Sequence, residues 1–310
     1  MIIGFAGIGT MGAPMAGHLL AAGHELRVLA RHRASAEPLI ARGARWADSP
    51  RTLATGADLV CSCLPGPAEV AAIAAGDDGL LAGLAAGTGW IDFSTNDPAL
   101  VKSLSAECEN RGVTMLDAPV SGGPKGAASG KLAIWVSGAR AGFDRYREIF
   151  DQLGDQVRYL GDSGNAAIAK LVHNCANYGI QMVLAEVFTL GVKAGMDPAL
   201  LFSAIRQGSL GRQRAVERLA DQFLPGEFDS PAFTLALAHK DVSLATALAR
   251  DQGVPMRLAN LTLAEMTEAL NKGWGQRDSR VAMKLQQERS GIDIKVPRDV
   301  LAAIIKAEPI

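Results

Sequence analysis

Gly7-Ile8-Gly9-Thr10-Met11-Gly12 has the G-x-G-x-x-G spacing by which a strand-to-helix turn holds a pyrophosphate. Gly7 permits the tight turn, Gly9 lets the backbone approach phosphate oxygens, and Gly12 allows the helix to pack on the strand. The helix N-terminus supplies oriented N–H groups. Chance produces this motif in Ala- and Gly-rich chains, so its weight comes from context, an apolar run before it and a helical pattern after it. Ser121-Gly122-Gly123 is a flexible turn directly after another apolar run, where unpaired N–H groups and one hydroxyl can form a nest for a carboxylate. Taken alone, it reads equally as an ordinary glycine loop. Lys170 and Asn174 lie four apart in a helical pattern and so share a face. A lysine there can protonate an alkoxide or accept a hydroxyl proton if its surroundings bring its pKa towards neutrality, and the asparagine can hold a ligand without adding charge. A solvated helix face is the plain alternative.

The run Glu25–Ala30 ends without the acidic residue that would accept hydrogen bonds from an adenosine ribose, and Arg31-His32-Arg33 follows. A guanidinium at that point suits a 2′-phosphate, so NADP is favoured over NAD, although loop arginines are also commonly just solvated.

These residues need a scaffold, and the first half of the chain supplies the pattern of one. Apolar runs at Met1–Ala6, Glu25–Ala30, Leu59–Leu64, Gly89–Phe93, Thr114–Pro119, Leu132–Val136 and Gln156–Tyr159 alternate with helical spacing such as Met11–Ala22 and Ala99–Arg111. The expectation is an α/β fold with a doubly wound, Rossmann-type parallel sheet over residues 1–163, its ligands at the carboxyl edge. After Gly161 the strand signals stop. One helix is expected over Gly164–Lys193, about 45 Å long at ~1.5 Å per residue. Gly195 and Asp197-Pro198 then end it and cap the next helix. Further helices are expected over Pro198–Gln207, Leu210–Phe223, Phe233–Arg250, Met256–Asn271 and Pro297–Lys306, making residues 164–310 an all-helical domain. Its apolar faces exceed what a small domain buries, which points to a homodimer or homotetramer.

With 310 residues, 48% of them hydrophobic and 20% charged, the chain has the composition of an ordinary two-domain globular protein. A net charge of −1 with scattered Lys and Arg gives no field for nucleic acid or an anionic membrane. There is no signal-peptide pattern and no apolar run of bilayer length, so a cytoplasmic location is expected. The five histidines and four cysteines show no metal-ligand spacing. The cysteines are expected to be reduced, with Cys61 and Cys63 on opposite faces of their strand.

Four segments taken together resemble the 3-hydroxyisobutyrate dehydrogenase, or β-hydroxyacid dehydrogenase, family, which includes tartronate semialdehyde reductases. They are Gly7–Met15, Asp117-Ala118-Pro119-Val120-Ser121-Gly122-Gly123, Gly164 through Lys170 to Asn174, and Phe233 through Lys240-Asp241. The resemblance implies hydride transfer between NAD(P) and a small 3-hydroxy acid or its semialdehyde. It assigns the general acid/base to Lys170, substrate contacts to Ser121, Gly122, Gly123 and Asn174, and a place near cofactor and substrate to Lys240. Cofactor contacts fall on Gly7, Ile8, Gly9, Thr10, Met11, Gly12, Leu64, Pro65, Ser94 and Thr95. His173 stands where the family often has a further asparagine; a packed helix histidine or a pocket residue would both fit. Trp274 and Asp278 are candidates for a loop over the pocket. An NADPH-dependent semialdehyde reductase would use the same residues in the opposite direction. A non-catalytic cofactor-binding protein could share the scaffold.

Overall fold

A computed structural model describes residues 1–193, 195–208, 217–251, 253 and 256–307. The chain divides into two compact units, Met1–Lys170 and Leu171–Ile310.

The first unit is built on a nine-stranded sheet. Its strands are β1 (Ile2–Ala6), β2 (Glu25–Leu29), β3 (Arg45–Trp46), β4 (Leu59–Ser62), β5 (Gly89–Asp92), β6 (Thr114–Asp117), β7 (Val120–Ser121), β8 (Leu132–Gly138) and β9 (Gly154–Tyr159). Their order is β3-β2-β1-β4-β5-β6-β8-β7, with β9 also paired to β8. From β3 through β6 every pairing is parallel, and the order reverses beside β1 as in doubly wound folds.

Period-two alternation fills both faces. Ile3, Phe5, Leu59, Cys61, Ile91 and Leu116 enter one core, while Val60, Trp90 and Met115 enter the other. This is why the four residues of β4 are all buried and read as one apolar run. The same period corrects the expectation for the cysteines. Two residues apart on a strand means one face, and Cys63 packs against the core that holds Cys61. All four cysteines are free.

The sheet turns mixed beyond β6. β8 runs antiparallel to it, with Leu116 opposite Gly138 and Asp117 opposite Ser137. The sequence carries no sign of this reversal, because the connecting β7 is two residues long and pairs antiparallel with β8. The segment Ser121-Gly122-Gly123, expected as a loop, spans the end of β7 and the start of a short helix, Gly123–Ser129.

A helix over Asn165–Lys193 starts in the first unit and continues into the second. Asp197 then caps Pro198–Gln207, accepting from the N–H groups of Ala199 and Leu200, both at 2.9 Å. The helices Leu235–Asp251, Arg257–Asn271 and Arg298–Ala307 follow. Part of the helix expected over Leu210–Phe223 lies outside the described residues; of the remainder, Arg218–Ala220 forms a 3-10 turn. Among the described residues this unit has no strand beyond an isolated bridge between Thr234 and Asp278. No described helix is long and apolar enough to cross a membrane, and no described cluster of His, Cys, Asp and Glu could hold a metal ion.

Candidate active site

The glycine turn lies between β1 and the helix Gly12–Ala21. Gly7 has φ +95°, and its N–H donates to the Leu29 carbonyl at 2.8 Å, tying the turn to β2. A Cβ on Gly7 would overlap the Cys63 carbonyl, and one on Gly12 would overlap the Gly7 carbonyl. The outer glycines are thus required by the protein's own packing. Gly9 differs, since a Cβ there meets nothing within 4 Å. Gly9 and Thr10 are exposed, Met11 is half-buried, and Ile8 faces the core at 4% exposure. Open space at the middle glycine, above a helix start, is what a pyrophosphate requires, so the residues present fit a dinucleotide.

At the carboxyl ends of β4 and β5 a buried carboxylate organises the two loops expected to line the rest of the cofactor groove. Asp92 Oδ1 accepts from Ser62 Oγ at 2.8 Å, Ser94 Oγ at 2.6 Å and Ser94 N at 3.2 Å, while Oδ2 accepts from Asn96 Nδ2 at 2.9 Å. Ser94 Oγ in turn accepts from Leu64 N at 2.9 Å. The hydroxyl proton of Ser94 is therefore committed inside the protein, and towards a ligand the side chain can act only as an acceptor. Burial raises the pKa of Asp92, and its four donors oppose that rise. Leu64 and Thr95 are half-buried and Pro65 is exposed beside this network.

Ser121 ends β7, and Gly122 (φ +131°) and Gly123 (φ +60°) follow in backbone regions that favour glycine. The long helix begins near these strand ends without a capping side chain of its own, because the residue before it is Gly164. Asp117 and Ser137 supply the caps. Asp117 Oδ1 accepts from Gly164 N and Oδ2 from Ala167 N, both at 3.1 Å; Ser137 Oγ accepts from Ala166 N at 3.0 Å. Asn165 N donates to the Asp162 carbonyl at 3.1 Å, so all four leading N–H groups are satisfied. Lys170 stands one turn further on. Burial and then the Asp92 carboxylate push the Cys63 thiol up to about 12, and the Lys170 charge pulls the other way. The Lys170 ammonium therefore acts on the end of β4, next to Leu64.

Asn174, one helical turn after Lys170, is buried and donates from Nδ2 to Asp241 Oδ2 at 2.6 Å. Lys240 Nζ lies 2.8 Å from the other oxygen of Asp241, which is itself fully buried. The charge of Lys240 is thus shared with Asp241 rather than left wholly for a ligand. Tyr178, a further turn along the helix, stacks on Phe233 with centroids 6.3 Å apart. Burial, followed by Asp241 and Asp278, raises its pKa well above the usual phenol value. His173 is half-buried. Trp274 is half-buried under the Lys272 ammonium, 5.4 Å from the ring centroid. Asp278 is fully buried and accepts from Ala232 N and Arg280 N at 3.1 Å, so it braces its own unit and is not an exposed cap.

Arg31 is exposed just beyond β2. Its neighbour Arg33 is engaged by Glu37 at 3.3 Å and by the Trp46 ring at 5.7 Å.

The sequence reading missed Asp92, Asp117, Ser137 and Asp241 as site-building groups. Asp117 and Asp241 do stand inside two of the segments that carry the family resemblance, and Gly164, a helix start with no side chain to cap it, signals that its caps come from elsewhere.

Two family descriptions cover the chain in tandem. The NAD binding domain of 6-phosphogluconate dehydrogenase matches residues 2–161, and the NAD-binding domain of NADP-dependent 3-hydroxyisobutyrate dehydrogenase matches residues 164–286. The chain belongs to the 3-hydroxyisobutyrate dehydrogenase family. It is an NAD(P)-dependent β-hydroxyacid dehydrogenase acting on a CH–OH group. Among members of this family, it is 35% identical to an NAD-dependent L-serine dehydrogenase of Pseudomonas aeruginosa, over 93% of this chain and 99% of the relative. It is 40% identical to a 3-hydroxyisobutyrate dehydrogenase of the same species over 67% of this chain and 70% of the relative. Among solved structures, a Mycobacterium tuberculosis 3-hydroxyisobutyrate dehydrogenase with L-serine superposes with a TM-score of 0.81. That match is 28% identical and covers 92% of this chain and 98% of the other.

Proposed function

We propose that this dehydrogenase interconverts a small 3-hydroxy acid of the 3-hydroxyisobutyrate type and its semialdehyde, with Lys170 as general acid/base. The observation that carries this reading is the polar series on one helix. Lys170 is followed one turn later by Asn174, whose amide Asp241 orients, and Lys240 adds positive charge at the same carboxylate. Gly7, Ile8, Gly9, Thr10, Met11 and Gly12 would hold the pyrophosphate, and Leu64, Pro65, Ser94 and Thr95 the nicotinamide-side ribose. When bound, the nicotinamide exchanges a hydride with the carbon that bears the hydroxyl. Lys170 takes the hydroxyl proton in oxidation and returns it in reduction, while Asn174 holds the reacting oxygen. The positive-φ turn at Ser121-Gly122-Gly123 receives the substrate carboxylate. Arg31 pairs with a 2′-phosphate, which favours NADP over NAD, and Gly164 is the functional edge between the cofactor-binding and helical domains.

The chain further works as a homodimer or homotetramer in the cytoplasm. Support comes from an apolar groove of about 720 Å³ on the helical unit, lined by Leu171, Val172, Ile180, Val183, Leu258 and neighbours. Val172, Val183 and Leu258 remain 61%, 48% and 69% exposed on the isolated chain, as expected of a surface that pairs with a second copy.

The test is a panel of 3-hydroxy acids, including L-serine, offered with NAD and NADP beside the matching carboxamides and methyl esters. Turnover of the free acids with loss of the neutral analogues is expected. Equal turnover of the esters would remove the carboxylate nest from the mechanism.

A further inference from the structure

We propose that Asp117 and Ser137 form a positioning clamp that sets Lys170 for proton transfer, a role that rests on Lys170 being the acid/base. The pair exists because β8 runs antiparallel to β6. That pairing places Ser137 directly opposite Asp117, and Ser137 Oγ donates to Asp117 Oδ1 at 2.6 Å. Both side chains are buried, Asp117 at 2% exposure and Ser137 at 0%. Between them they receive Gly164 N, Ala166 N and Ala167 N, three of the four leading donors of the long helix.

Most helices obtain such a cap from the residue just before them, which travels with the helix when it shifts. Here the caps come from 47 and 29 residues away, on the ends of two strands. The start of the helix is therefore registered against the carboxyl edge of the sheet, where Cys63, Leu64 and Asp92 lie. Lys170 follows Ala167 by three residues, about 4.5 Å of helix rise at ~1.5 Å per residue, too short a distance for a shift at the helix start to be absorbed before it reaches the lysine. The carboxylate also complements the positive end of the helix dipole, which keeps the first turn wound.

Asp117→Asn tests this with almost no change of volume. A carboxylate accepts from all three of its donors, whereas the amide has one accepting oxygen and would turn its NH2 towards a donor. Ser137→Ala is the milder companion, removing one helix cap and one bond to Asp117. Each variant is titrated with cofactor, so that turnover is counted per binding-competent molecule, and each is assayed with substrate carrying deuterium at the carbinol carbon. Hydrogen exchange at residues 164–167 reads the helix start directly.

For Asp117→Asn we expect kcat to fall by about 10- to 100-fold, the scale of a small misplacement of a catalytic group. Cofactor affinity should stay within about twofold, the deuterium isotope effect should be at least that of the parent, and amide protection at Ala166 and Ala167 should drop. Ser137→Ala should move in the same direction by less, and it carries the same readouts if the Asn variant fails to fold. Full kcat per cofactor-binding molecule in either variant, despite lost amide protection, would overturn the clamp and leave a plain structural cap. Lys170→Ala, run alongside, separates the two ideas. If it keeps its turnover, the acid/base reading fails and takes the clamp with it. A dead Lys170→Ala beside a fully active Asp117→Asn overturns the clamp alone.

Discussion

Asn174 donates from Nδ2 to Oδ2 of Asp241 at 2.6 Å, and because a carboxylate can only accept, the amide is held with its oxygen turned away from Asp241. Asn174→Asp would place a second carboxyl against a fully buried one. We expect a loss of about 3 kcal/mol of stability at neutral pH, recovered towards pH 5 as the new carboxyl takes a proton and donates in place of the amide. Thermal midpoints across pH 5–8 measure it, and a deficit independent of pH would contradict the shared-carboxyl account.

Lys170→Ala should leave cofactor affinity nearly intact while lowering turnover by roughly two to four orders of magnitude. Steady-state rates beside fluorescence titration of the cofactor check this. Asn174→Ala should instead raise the substrate KM and lower kcat less. Near-parental turnover of the Lys170 variant would pass the proton to another group, and His173 would be the next to replace.

Arg31→Ala should raise the KM for NADP far more than that for NAD. A charge-assisted contact to the 2′-phosphate contributes uniform binding, so kcat should hold. Equal movement of both constants would reduce Arg31 to a solvated loop charge.

Asp92 carries a pH signature. Its pKa is raised on folding, chiefly by burial, so between the unfolded and folded values the native state binds more protons than the unfolded chain. Its contribution to stability is then fully present below the ordinary carboxylate range and is lost as pH rises through the folded pKa. Asp92→Asn lacks this titration. The midpoint of the parent should accordingly fall relative to that of the Asn variant as pH climbs from 4 upwards, and parallel curves would show that the four hydrogen bonds cancel the burial cost.

Val183→Asp puts a charge on the exposed apolar stripe of the long helix. Sedimentation should show the parent as a dimer or tetramer and the variant as a smaller species at micromolar concentration. A monomeric parent would mean that the groove serves some other purpose.

Elements with their own periodicity were legible in the sequence. The expected strands correspond to β1, β2, β4, β5, β6, β8 and β9, and Pro198–Gln207 has the expected ends because Asp197 and Pro198 signal locally. β3 and β7 were not legible, since two residues carry no period. The polar groups named by motif, such as Lys170 and Asn174, were visible as letters. The carboxylates that hold them in place were not, because Asp117 finds Ala167 and Asp241 finds Asn174 only after 50 and 67 residues of intervening chain have folded. Ser94 marks the difference between naming and placing a residue: the family resemblance implies a cofactor contact for it, and the fold commits its proton to Asp92.

The three glycines of the phosphate turn answer to different judges. A methyl group on Gly7 or Gly12 would collide with the backbone, so a change at either costs stability first, whether or not the enzyme is used. A methyl group on Gly9 would meet no protein atom within 4 Å, and there the folded chain is indifferent. If the turn holds the pyrophosphate as proposed, a side chain at position 9 would therefore be felt through the nucleotide and not through the fold. A descendant that kept the first and third glycines but not the second would keep the packing of the turn, and under the proposed function its loss would fall on nucleotide binding.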